Sequence, residues 1–98
     1  MELKSYQRAF LRSEGQSLDP IVYVGKEGMS EGVANMLSDA LFSHELVKVK
    51  FVSNKDSVKE ISRLLEKATG STLVATTGFT ALFYKENPDE EKRIYILN

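Results

Sequence analysis

Cysteine and tryptophan are absent from this chain of 98 residues, and histidine occurs only once. Without cysteine there is no disulfide, no thiolate ligand for zinc and no cysteine nucleophile. No apolar run approaches the roughly eighteen residues of a transmembrane helix, and the first residues lack the apolar core of a signal peptide. These absences predict a cytoplasmic protein that has no membrane partner.

The charge balance is slightly acidic, with a formal net charge of -1. Domains that bind nucleic acid are usually basic. However, four acidic residues lie close together near the C-terminus, namely Glu86, Asp89, Glu90 and Glu91. The rest of the chain therefore has an excess of positive charge, which allows a local basic face. The length and the 42% of hydrophobic residues predict one globular domain over residues 1–98.

Two glycines and a lysine lie where an apolar run gives way to the start of a helix. The tetrapeptide Gly25-Lys26-Glu27-Gly28 follows Ile21–Val24 and precedes Met29–Val33. Glycine permits positive φ and lets another molecule approach the backbone closely, and a helix N-terminus presents unpaired N–H groups. This combination suits a phosphate backbone. The alternative is a strand-to-helix turn that binds nothing.

The opening segment has helical spacing on two faces. Its apolar face comprises Leu3, Tyr6, Phe10 and Leu11. Its basic face comprises Lys4, Arg8 and Arg12, each four residues from the next. Gly15 is expected to end this helix, and Asp19-Pro20 predicts a turn before a strand at Ile21–Val24.

Two further helices flank an alternating strand. Ser30 is expected to cap the second helix, which should end near His44. The strand Leu46–Val52 places two lysines, Lys48 and Lys50, on one face. The segment Ser57–Glu60 has the form of a capping box and predicts the start of a third helix, which Gly70 ends. The predicted apolar faces are Val33, Met36, Leu37, Ala40 and Leu41 in the second helix, and Val58, Ile61, Leu64, Leu65 and Ala68 in the third.

Two apolar segments on either side of Gly78 predict a β-hairpin with the glycine at its turn. A short edge strand is expected at Ile94–Leu97. The order α-β-α-β-α-β-β, with two β-α-β crossovers before the hairpin, predicts an α/β fold with a mixed four-stranded sheet and two layers.

The order and spacing of several motifs resemble the bacterial YhbY-type RNA-binding proteins, the stand-alone form of the CRM domain. The motifs are the Gly25–Val33 segment, His44–Lys50, the opening helix with Gln7-Arg8, Leu18–Val22, and Gly78 with Leu82–Lys85. The resemblance covers essentially the whole chain. It implies a fold similar to the C-terminal domain of bacterial initiation factor three, RNA binding, and association with precursors of the large ribosomal subunit.

The resemblance also implies where RNA is bound. The loop Gly25–Gly28 is similar to the Gly-x-x-Gly loop of KH domains, which clamps nucleotide backbone, and the opening basic helix is expected beside it. Two positions depart from the family pattern. Phe79 stands where a basic residue is common, and Lys85 replaces the usual arginine, which removes fork-shaped phosphate contacts but keeps the charge.

The RNA-binding set predicted on these grounds is Lys4, Arg8, Arg12, Gly25, Lys26, Glu27, Gly28 and Lys85. Each has an ordinary alternative. The helix cations could form a solvated face, and Lys26 could pair with Glu27 or Glu31. Lys48 and Lys50 are expected to mark the solvent side of their strand. A Gly28→Asp substitution is expected to weaken RNA binding without disturbing the fold.

Other single residues have ordinary interpretations. Phe79 could stack on a base or fold back on the sheet, and Tyr84 is expected in the core. His44 is expected to interact with a helix C-terminus, since no neighbours have metal-ligand spacing.

The predicted function is RNA binding during large-subunit assembly, without catalysis, metal, cofactor or small-molecule substrate. The alternative is an adaptor whose acidic segment Glu86–Glu91 recruits a basic ribosomal protein.

Overall fold

The computed structural model describes residues 1–98 and has three helices and four strands in the predicted order. The helices are α1 (Ser5–Gly15), α2 (Glu31–His44) and α3 (Val58–Thr69). The strands are β1 (Val22–Val24), β2 (Leu46–Phe51), β3 (Thr72–Thr77) and β4 (Thr80–Tyr84). Two short 3-10 turns lie at Lys55–Ser57 and Glu90–Lys92. None of the three helices has the length and apolar content of a membrane-spanning segment.

The four strands form one mixed sheet in the order β1-β2-β4-β3. β1 runs parallel to β2, whereas β4 is antiparallel to both β2 and β3. The predicted α/β class and mixed four-stranded sheet are confirmed. The second β-α-β crossover joins β2 to β3, but these two strands are not neighbours. β4 follows the hairpin turn and lies between them. Gly78 adopts φ +58° at the hairpin turn, as predicted.

The main core lies between the sheet and the helices α2 and α3. Alternate residues of β2, which are Val47, Val49 and Phe51, are almost fully buried there. In the helices, the residues that pack against them include Leu37, Leu41 and Leu65. The predicted helix faces are partly wrong, because Met36 and Leu64 are 53% and 45% exposed. Ala68 is also exposed, and Ser62 and Thr69 are buried instead.

The helix α1 lies on the opposite face of the sheet, where it packs across β2, β4 and β3. Leu11 joins Leu46, Val74, Leu82 and Tyr84 in a second, smaller core. The two-layer arrangement is therefore corrected, because α1 adds a third, partial layer. Of the predicted apolar stripe of α1, Leu3 and Leu11 are buried, whereas Tyr6 and Phe10 are exposed.

The last turn of α1 packs tightly on the sheet at Gly15. A Cβ at this position would lie 2.6 Å from the Leu82 side chain. Glycine is therefore required here by close approach, in addition to ending the helix as predicted.

The predicted N-terminal cap is present in α2 and absent in α3. Ser30 caps α2 by accepting a 3.2 Å hydrogen bond from the Val33 N–H, as predicted. Ser57 makes no side-chain cap bond, so the predicted capping box is absent. A 3-10 turn that begins after Asn54, a residue with φ +57°, leads into α3 instead.

The C-terminal segment is held by the buried side chain of Glu45, which is 1% exposed. Its Oε1 accepts hydrogen bonds from the N–H groups of Ile94 at 2.6 Å and Tyr95 at 3.0 Å. Its Oε2 accepts one from the Asn87 N–H at 2.6 Å. The predicted edge strand at Ile94–Leu97 is wrong, because these amides bond to a carboxylate rather than to a neighbouring strand.

The same carboxylate affects Tyr84, which is buried beside it. Burial, and then the negative charges of Glu45 and Glu86, raise the pKa of Tyr84 to about 12. Its hydroxyl has no hydrogen-bond partner. Tyr84 is thus a neutral core residue, as expected from the sequence.

Candidate nucleic-acid interface

Three connections meet at one end of the sheet, which we call the loop end. They are the Gly25–Gly28 loop after β1, the Val52–Ser57 segment after β2, and the Gly78-Phe79 turn between β3 and β4. They meet because β1 and β2 are parallel and end together, and β4 begins beside the end of β2.

The Gly25–Gly28 loop is a tight turn whose first two carbonyls accept hydrogen bonds from within the protein. The Gly28 N–H donates to the Gly25 carbonyl at 3.0 Å. The Asn54 side-chain amide donates to the carbonyls of Gly25 at 2.8 Å and Lys26 at 3.1 Å. The backbone N–H groups of Lys26 and Glu27 donate no hydrogen bond within the protein. These two donors are therefore unpaired within the protein, and unpaired backbone N–H groups are the groups that bind an anion.

Asn54 was not predicted as part of this site, although its identity is informative in hindsight. Asparagine is one of the few residues other than glycine that often adopt the left-handed region. Its φ of +57° turns its side chain toward the loop. The residue thereby fixes the shape of a loop that is 28 to 29 positions earlier in the chain.

The two glycines of the loop differ in what they permit. A Cβ on Gly25 would meet no atom within 4 Å, so this position borders open space. Gly28 is buried, has φ +64°, and a Cβ there would lie 3.4 Å from Ile61 and 3.5 Å from Asn54. A side chain at Gly28 would be strained by the positive φ, so Gly28→Asp is expected to lower stability as well as affinity. Gly25 is the position where a side chain probes the outer surface.

The charged loop residues are both exposed. Lys26 forms no ion pair with Glu27 or Glu31, so the paired alternative for this lysine does not hold. The Lys26 ammonium is free to meet an external anion, while the Glu27 carboxylate lowers the local positive potential.

A second group of unpaired cations lies on the sheet face that α1 covers only in part. Lys48 and Arg12 line the same shallow cleft, together with Gly15 and Thr77. Lys50 is exposed one step further toward the loop end. None of the three side chains makes an ion pair or hydrogen bond within the protein. We call Arg12, Lys48 and Lys50 the sheet-face cluster.

The sequence profile of the CRS1 / YhbY (CRM) domain matches residues 3–85. The chain belongs to the CRM-domain family. The resemblance inferred from the motifs is thereby confirmed.

Relatives of this CRM domain match it along nearly its whole length. A Bacillus subtilis protein named probable RNA-binding protein YqeI is 35% identical over 91 residues, which covers 92% of this chain and 95% of the relative. A Haemophilus influenzae protein named RNA-binding protein is 32% identical over 95 residues, which covers 96% and 94%. The solution structure of a hypothetical protein from Staphylococcus aureus superposes with a TM-score of 0.80 at 33% identity and covers 94% of this chain and 97% of that one.

Arg8 has a structural role in this CRM domain. Its Nη1 donates to the carbonyls of Leu73 at 2.9 Å and Val74 at 2.5 Å. The register of β3 shifts between Leu73 and Ala75, and the arginine binds the carbonyls at this bulge. One nitrogen of the guanidinium thus attaches α1 to β3, and the contact of Arg8 with a phosphate stays a prediction.

Lys85 and Lys4 lie at the sheet end opposite the loop end. The Lys85 ammonium donates to the Thr69 carbonyl at 2.8 Å and so satisfies the C-terminus of α3. Lys4 immediately precedes α1, close to Met1, whose carbonyl accepts from Thr72 at the start of β3. Of the eight predicted residues, the structure brings together the four of the loop, and it places Arg12 on the neighbouring sheet face. The CRM domain does not place α1 as a whole beside the loop.

Phe79 at the hairpin turn is 49% exposed. The Lys55 ammonium lies 4.8 Å from its ring centroid, a distance typical of a cation–π contact. One ring face is therefore occupied within the protein, and the aromatic side chain neither folds into the core nor presents both faces to solvent.

The acidic segment Glu86–Glu91 is engaged within the protein only in part, and the Glu90 side chain is 85% exposed. Arg93 forms ion pairs with Glu86 at 3.5 Å and Glu90 at 3.7 Å. The Asp89 carboxylate accepts from the Glu91 N–H at 3.1 Å.

No group of three or more potential metal ligands occurs in the structure. His44 is the last residue of α2, where a cation interacts favourably with the helix dipole.

Proposed function

We propose that this CRM domain binds RNA through the loop end and the sheet-face cluster, chiefly by contacts to the sugar-phosphate backbone. The observation that carries this proposal is that the N–H groups of Lys26 and Glu27 donate no hydrogen bond within the protein, beside a Lys26 ammonium that forms no ion pair. The sheet-face cluster adds three further unpaired cations. Backbone amides and unpaired cations are the groups that contact phosphates in protein–RNA interfaces. The names of the relatives support the same assignment.

The net charge of -1 does not oppose this proposal. The acidic residues Glu86 and Glu90 are paired with Arg93, and this segment follows β4 at the sheet end remote from the loop. Salt screens the field of these carboxylates at the opposite end of the sheet, because the Debye length is about 8 Å at physiological ionic strength. The local field at the loop end is set by its own residues.

We further propose that the RNA belongs to precursors of the large ribosomal subunit and that the protein acts in the cytoplasm during their assembly. The family resemblance supports this narrower assignment. A domain of this kind would act by holding a segment of RNA, since nothing in the CRM family assignment calls for catalysis.

Two experiments test the proposal. The first is crosslinking in the host cells followed by sequencing of the bound RNA. The second is capture of the protein with its partners, with and without ribonuclease. We expect enrichment of large-subunit ribosomal RNA, and we expect ribosomal proteins to be captured only while the RNA is intact. Ribosomal proteins that remain bound after ribonuclease treatment, with no enriched RNA, would instead identify an adaptor that binds protein.

A further inference from the structure

Tyr23 is an exposed aromatic side chain on the edge strand of the sheet. It lies in the middle of the edge strand β1, between the buried residues Val22 and Val24, and it is 50% exposed. Its hydroxyl donates to the Pro20 carbonyl at 3.3 Å, which holds the ring along the strand. The ring is therefore oriented, and half of the residue's surface is open to solvent.

The sheet register places cationic and hydroxyl side chains beside this ring. Tyr23 pairs with Lys50, which pairs with Thr80, which pairs with Thr77. These four side chains form a row across the sheet on the face opposite α2 and α3. Neighbouring strands are about 4.8 Å apart, so the Lys50 ammonium lies within reach of the phosphate of a nucleotide whose base contacts Tyr23.

The same strand leads directly to the loop. Gly25 follows Tyr23 by two positions, which corresponds to about 7 Å in an extended strand. A nucleotide whose base contacts the Tyr23 ring could therefore place a neighbouring phosphate at the free amides of Lys26 and Glu27. The ring, Lys50 and the loop form one continuous path.

We propose that Tyr23 is a stacking platform for an unpaired base, and hence that the RNA crossing this face is single-stranded. Bases in a duplex are stacked on each other and cannot lie flat on a protein side chain, whereas unpaired bases of any identity offer a π-face. The inference rests on the proposed function, because it specifies which form of RNA that interface binds. It adds a base contact to a site otherwise made of backbone contacts.

The absence of tryptophan from the chain permits a direct test. Tyr23→Trp creates the only indole in the protein, and a base stacked on it is expected to quench its fluorescence. Phe42→Trp is the matched control, because Phe42 is 61% exposed on α2, beyond the opposite face of the sheet. The probes are a short fluorescein-labelled oligouridylate and its duplex with oligoadenylate, with fluorescein anisotropy reporting binding independently.

We expect oligouridylate to quench the indole at position 23 and not at position 42, and to bind at least tenfold more tightly than the duplex. Tyr23→Ala is expected to weaken oligouridylate binding roughly 5- to 100-fold, the range of one base–aromatic stack, and Tyr23→Phe to retain most of it. Binding without quenching at position 23, or equal affinity for the duplex, would overturn the stacking platform alone. Failure of the wild-type protein to bind either RNA at low salt would overturn the proposed function as well.

Discussion

Replacing Gly25 by aspartate is expected to reduce RNA affinity roughly 10- to 100-fold while leaving the fold and its stability unchanged. The new side chain would enter open space, so it creates no steric conflict. Its carboxylate would lie beside the free N–H groups of Lys26 and Glu27 and would repel a phosphate there. Two like charges about 4 Å apart repel by roughly 1–4 kcal/mol between water and a partly exposed surface. Fluorescence anisotropy with labelled RNA measures the affinity, and thermal unfolding monitors the fold.

Two companion variants identify the cause of the Gly25→Asp effect. Asn35→Asp adds the same charge at an exposed position on α2 and is expected to bind nearly as the wild type does. Gly28→Asp is expected to lose stability as well as affinity, because a side chain at φ +64° is strained and would press on Asn54. A folded Gly25→Asp variant with wild-type affinity would remove the loop from the interface.

Replacing Glu45 by alanine is expected to lower the free energy of unfolding by about 3–5 kcal/mol. Three backbone amides lose their acceptor together, and each buried polar group left unpaired costs about 1–3 kcal/mol. The C-terminal segment relieves that cost only by leaving the protein surface. Its departure uncovers the apolar contacts that Tyr95 and Leu97 make with the smaller core. Such a loss is a large fraction of the stability of a domain of this size.

Urea unfolding and amide hydrogen exchange measure this effect. In Glu45→Ala, protection from hydrogen exchange should fall first at Asn87, Ile94 and Tyr95. The amides of these three residues donate hydrogen bonds to the Glu45 carboxylate. Glu91→Ala is the matched control, since Glu91 is an exposed glutamate near the C-terminus whose side chain forms no ion pair. Its effect is expected within about 0.5 kcal/mol. Unchanged protection of the three amides in Glu45→Ala would show that the carboxylate does not hold the segment.

The sequence predicted the elements that depend on local patterns. The alternation in Leu46–Phe51 and the cap at Ser30 are local signals, and both are found in the structure. The glycine at position 78 likewise marks the hairpin turn. Secondary structure and the mixed sheet followed from these because each signal lies within a few residues.

Features set by distant contacts were not predictable in this way. Which sheet face receives α1 depends on Leu11 meeting Leu46 and Leu82 across the sheet, and nothing within α1 specifies it. The Ile94–Leu97 segment does alternate in burial as a strand would. However, its amides find the Glu45 carboxylate, which is about fifty positions earlier.

The candidate site shows the same division. The glycines marked the loop, because close approach and turn geometry are local requirements. The roles of Arg8 and Lys85 could not be inferred, since their acceptors are carbonyls of β3 and α3. Conversely, Lys50 and Tyr23 became candidates only when the register paired them next to the loop, and Lys48 only when the fold placed it in one cleft with Arg12.

The dependence of RNA affinity on salt concentration tests the central claim most directly. Four unpaired cations, Arg12, Lys26, Lys48 and Lys50, should each contribute about 0.7 to the slope of log affinity against log salt for single-stranded RNA, which predicts a slope of about -3. Lys50→Ala should reduce its magnitude by about 0.7, whereas Lys67→Ala, at an exposed position on α3, should not change it. A slope near zero, or one that Lys50→Ala leaves unchanged, would contradict binding of the RNA backbone at this face.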